Sequence, residues 1–67
     1  MLVHLRLTVP TDLTSDVRRV LADCEHATNV TLLTGASIEP KGDLVEADVA
    51  REYAGSLLHD LGETGLP

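Results

Sequence analysis

Sixty-seven residues hold one small core and no more, and a chain of that size buries only roughly 60% of the surface its unfolded form exposes. Apolar residues make up 43%, a globular composition, yet Tyr53 stands alone with no Phe or Trp, so a core of Leu, Val and Ala is expected. The formal charge of −6 repels nucleic acid and anionic membranes, and a single cysteine excludes both an internal disulfide framework and a thiolate zinc cage.

From Leu2 to Val9 the residues alternate, with Val3, Leu5, Leu7 and Val9 on one side and His4, Arg6 and Thr8 on the other. Period two with one polar face predicts a half-buried strand, ended by Pro10, which lacks a ladder donor. Thr11 is placed as a helix N-cap, with Asp12 and Asp16 near the positive end of the dipole. Leu13, Val17, Val20, Leu21 and Cys24 then mark one face of an amphipathic helix that frays by His26. A second strand is expected over Thr28 to Thr34, with Val30 and Leu32 on one face. Gly35 is expected to break it, and Pro40, Lys41 and Gly42 to complete a turn. Leu44 to Val49 alternates again and predicts a third strand. A second helix is expected from about Ala50 to Leu61, with Tyr53, Ala54, Leu57, Leu58 and Leu61 as its buried stripe and Gly62 as its C-cap.

Strand, helix, strand, strand, helix is the order of the first five elements of the split βαβ, or ferredoxin-like, plan. The fold class is therefore α+β: an antiparallel sheet with two helices on one face, strand 1 beside strand 3 and strand 3 beside strand 2. The whole of 1–67 reads as one small domain. The plan's final strand, which pairs with the open side of strand 1, has no counterpart before Pro67.

Leu5 to Pro10, Asp12-Leu13-Thr14, Thr28-Asn29-Val30, Gly35-Ala36 and above all Gly42-Asp43-Leu44-Val45-Glu46-Ala47-Asp48-Val49-Ala50-Arg51-Glu52 carry a more specific likeness. Together they resemble the N-terminal segment of actinobacterial membrane proteins of the domain-of-unknown-function 389 family, over essentially the whole chain. The resemblance implies a fragment of a larger protein, the cytoplasmic α/β part of a bacterial inner-membrane protein, or else a truncated stand-alone relative. Relatives continue into another strand and then membrane spans, and they often carry a cysteine where this chain has Ala47. The likeness brings no catalytic residues. The segment itself has no apolar run near the roughly 18 residues of a span and no signal-peptide plan, so direct membrane insertion is not expected.

Chemistry-bearing residues are few. Cys24 and His26 lie close in sequence, but a structural zinc site takes four ligands, and Cys24 falls on the apolar stripe, so it reads as core. Glu46 and Asp48 share the polar face of strand 3, about 7 Å apart by strand geometry. Beside His4 and Arg6 of strand 1 they form either a cation or small-ligand face or, more simply, cross-strand charge pairs. Gly35 to Gly42 lacks phosphate-loop spacing, and Asn29-Val30-Thr31 matches a glycosylation acceptor by chance. Ser15, Ser37 and Ser56 have no His-carboxylate partners at recognisable spacing. RNA binding needs aromatic residues on the central strands, and there are none. The expectation is a regulatory or ligand- and partner-binding module, not an enzyme, with no cofactor and no metal. An oligomerisation element is the alternative, because an unpaired strand 1 exposes Val3, Leu5 and Leu7 at an edge that seeks a second copy.

Overall fold

The computed structural model describes residues 1–67. In chain order it contains β1 (Leu2–Val9), a 3-10 turn (Thr11–Leu13), α1 (Thr14–Asp23), β2 (Ala27–Ser37), β3 (Gly42–Ala50) and α2 (Arg51–Gly62). The three strands form one antiparallel sheet in the order β1-β3-β2, as the split βαβ plan requires. Val17 and Leu21 of α1 and Leu57 and Leu61 of α2 bury into one cluster with Leu5, Val9, Val45, Ala47 and Val49. Both helices therefore lie on the same sheet face, and the core is Leu, Val and Ala throughout. Cys24 is a free, half-buried thiol packed against that cluster. No helix is long and apolar enough to cross a membrane.

Several local expectations are corrected. Thr11 does not cap a helix. Pro10 precedes a 3-10 turn instead, and the α-helix starts at Thr14, with no side-chain cap at Leu13. Tyr53 and Leu58 are not part of the buried stripe of α2, being 43% and 49% exposed. The helix sits on the sheet through Leu57 and Leu61, one turn apart, with Ala54 half-buried beside them. Tyr53 instead stacks its ring on His26, with centroids 3.4 Å apart and planes 5° from parallel. Gly62 is not a left-handed cap, since Glu63 follows it in right-handed conformation.

Gly35 does not end β2, which continues to Ser37. Three residues, Thr34 to Ala36, stand opposite Asp43 alone, because Leu33 pairs with Leu44 and Ser37 with Gly42. Gly35 takes φ +68° in this bulge, where a Cβ would be strained. A second bulge sets Asn29 and Val30 against Ala47, between the pairs Thr28–Asp48 and Thr31–Glu46. Asn29 takes φ +53° there, a conformation asparagine tolerates better than most residues.

Candidate functional site

Strand alternation sends the odd-numbered residues of β1 toward the helices and the even-numbered ones to the bare sheet face. There His4 pairs in register with Asp48, and Arg6 with Glu46. The side chains do not follow the register. His4 Nδ1 lies 2.7 Å from Asp48 Oδ1, and His4 Nε2 lies 2.7 Å from Glu46 Oε2. Both carboxylates only accept, so the two bonds form together only when both ring nitrogens carry protons and the ring is an imidazolium. Arg6, expected to share the pairing, makes no ion pair, because His4 has already engaged Glu46 on the diagonal.

Asn29 completes the cluster, donating from Nδ2 to Asp48 Oδ2 at 3.0 Å. The bulge in β2 brings its side chain within reach of β3. These contacts shift two groups. The hydrogen bonds to Asp48 and then Glu46 raise the His4 pKa above its ordinary 6.5. Asp48 is held below its ordinary 3.8, first by Asn29 and then by His4. The carboxylates are about a third and a quarter exposed, so this is a solvated clamp rather than a cleft.

The chemistry available to it is limited. Each His4 nitrogen is turned to a different carboxylate, so while the ring is protonated no lone pair is left for a general base. No three His, Cys, Asp or Glu side chains converge on a point where a cation could sit. The clamp ties β1 to β3 and β3 to β2 across the open face.

A second polar cluster, invisible in the sequence pattern, lies at the other end of β3. Asp43 is only 4% exposed, and its two oxygens are both used. Thr14 Oγ1 donates to Oδ2 at 2.6 Å, and the Gly35 backbone N–H donates to Oδ1 at 2.7 Å. Those bonds, Thr14 first, hold the Asp43 carboxyl below its ordinary 3.8. One carboxylate thus pins the start of α1, the bulge of β2 and the start of β3. A buried Asp opposite a glycine bulge was the available signal, and it needs the register to be read.

The signs of these shifts set a pH window. The raised His4 pKa contributes stability fully present below the unfolded value near 6.5 and lost as pH rises through the folded value. The lowered Asp43 and Asp48 values contribute stability present above about 3.8 and lost as pH falls through their folded values. Melting temperature should therefore plateau between these limits. His4→Gln should flatten the alkaline limb and Asp43→Asn should reduce the acid limb. A wild-type melting temperature that climbs through neutral pH contradicts this assignment.

Two sheet edges remain. β2 is interrupted by its two bulges, which twist and break an edge. β1 pairs with β3 without a register shift over all eight residues, so its outer edge is regular. Val3, Leu5 and Leu7 lie along it on the core face, Leu5 buried and the other two half-buried. The fold and these clusters define a small α+β sheet domain with an ion-clamped open face and one regular free edge. Comparison of the chain with protein-family models, curated proteins and solved structures finds no match.

Proposed function

We propose that this chain is a non-catalytic association module whose working element is the free edge of β1, with a second copy of the chain as its partner. The carrying observation is the contrast between the edges: β1 has neither bulge nor internal proline, while β2 has two bulges. Unpaired backbone donors and acceptors along a regular edge are a template for an added strand. A two-fold axis at Leu5 sets Leu5 opposite Leu5 and Val3 opposite Leu7, extending one apolar face across six strands. It also brings Arg6, without an ion pair of its own, opposite the partner's His4 with its two carboxylates.

The likeness of Gly42 to Glu52 to membrane proteins of the domain-of-unknown-function 389 family supports attaching this module to a bacterial membrane protein, on the cytoplasmic side. Association there serves a regulatory role, in which a bound ligand or partner alters pairing.

Light scattering across a concentration series tests the edge. The expected result is a dimer for the wild type and a monomer for Val3→Lys, which places an inward-facing charge on the edge, with the same circular dichroism for both. A wild-type chain that stays monomeric to high micromolar concentration overturns the proposal.

A further inference from the structure

We propose that the groove between α1 and β2 binds a small amphipathic anion, a carboxylate or phosphate head on a short apolar tail. The groove is open to solvent and offers about 630 Å³, within the range of roughly 300–1,000 Å³ usual for small-molecule sites. Its helix wall carries Ser15, Arg18 and Arg19, and its sheet wall carries Val30, Leu32 and Val45. None of the residues lining it is acidic, in a chain with 11 Asp and Glu. Two of the five Lys and Arg residues stand here together, so the groove is a cationic island on an anionic molecule.

The arginines are available. Arg18 makes no ion pair, and Arg19 makes only an exposed one to Asp16, with Nη1 to Oδ1 at 3.4 Å. Such a pair is weak, and a ligand oxyanion that accepts two N–H bonds from a guanidinium competes well with it. Ser15 adds a hydroxyl that has no hydrogen bond within the chain. Below this polar rim the floor is apolar. Val45 is fully buried, Leu32 is half-buried, and Val30, in the same bulge as Asn29, is 48% exposed. An anion without a tail leaves that floor wet, and a neutral or cationic head leaves the guanidinium groups unused. The groove lies at the β2 side of the sheet, opposite the β1 edge, so a second copy paired at that edge leaves it uncovered.

The test follows methyl resonances of the full chain by NMR during titration with octanoate and with octyl phosphate, both below their micelle concentrations. Saturable shifts at Val30, Leu32 and Val45 are expected with both. Arg18→Gln, on an exposed position, should weaken binding about tenfold, the factor for one charge-assisted hydrogen bond near the surface. Inorganic phosphate alone and octyltrimethylammonium should not saturate the same methyls. The proposal is overturned if neither anion saturates, if either control binds as tightly, or if Arg18→Gln binds like the wild type. It is also overturned if the methyls respond only to phosphatidylglycerol vesicles, which makes this face a membrane contact.

Discussion

Gly42→Ala should lower the melting temperature by roughly 10 °C, the equivalent of about 1–3 kcal/mol in a domain of this size. A Cβ built on Gly42 lies 2.3 Å from the Val9 carbonyl oxygen and 2.9 Å from its carbon, and both neighbours are backbone. No side chain can rotate to relieve that contact. β1 and β3 must part where Val9 pairs with Asp43, and the Asp43 hydrogen bonds to Thr14 and Gly35 are strained with them. A chain of 67 residues has only about 3–10 kcal/mol of total stability, so the loss is a large fraction of it. Gly55→Ala is the control. Gly55 lies inside α2 with open space around it, and alanine should raise stability by up to about 1 kcal/mol through helix propensity. Thermal melts followed by circular dichroism read both, and equal melting temperatures for the two variants would contradict the close approach of β3 to β1.

The second large effect distinguishes adjacent leucines. Leu57→Ala should cost about 2–5 kcal/mol, because Leu57 is 2% exposed and sits between the helices and the sheet, where truncation leaves a cavity. Leu58→Ala should cost at most about 1 kcal/mol, since half of that side chain already faces water. Urea denaturation gives both values from the shift in midpoint at constant slope. Comparable losses, or the reverse order, would mean that α2 is rotated on its axis relative to this structure.

That pair of residues also marks where sequence reasoning stops. Tyr53, Leu57, Leu58 and Leu61 all fit an apolar stripe, because a helical period of 3.6 allows a broad face with either Leu57 or Leu58 at its centre. Packing against β3 selects the Leu57–Leu61 line and leaves Tyr53 to stack on His26. The order of elements was legible from alternation in β1 and β3 and from the helical spacing in α1 and α2, since periods of 2 and 3.6 are local properties. Strand order followed from connection rules, which need only that order.

β2 was harder, for a physical reason. A bulge shifts the face of every residue after it, so the alternation in Thr28 to Thr34 carries two registers at once, and Gly35 looks like a terminator when it is a bulge.

The open face shows the same division. Residue types and strand parity put His4, Arg6, Glu46 and Asp48 on one surface without any coordinates. The choice of His4 over Arg6 as the partner of both carboxylates depends on side-chain reach across a twisted sheet. The recruitment of Asn29, the burial of Asp43 under Thr14 and Gly35, and the cationic groove between α1 and β2 all join residues distant in sequence. Spacing along a chain encodes which elements form and which face of each is apolar. It does not encode the lateral offset between elements, and in this protein the bulges, the core packing and two short-range hydrogen-bond clusters set that offset.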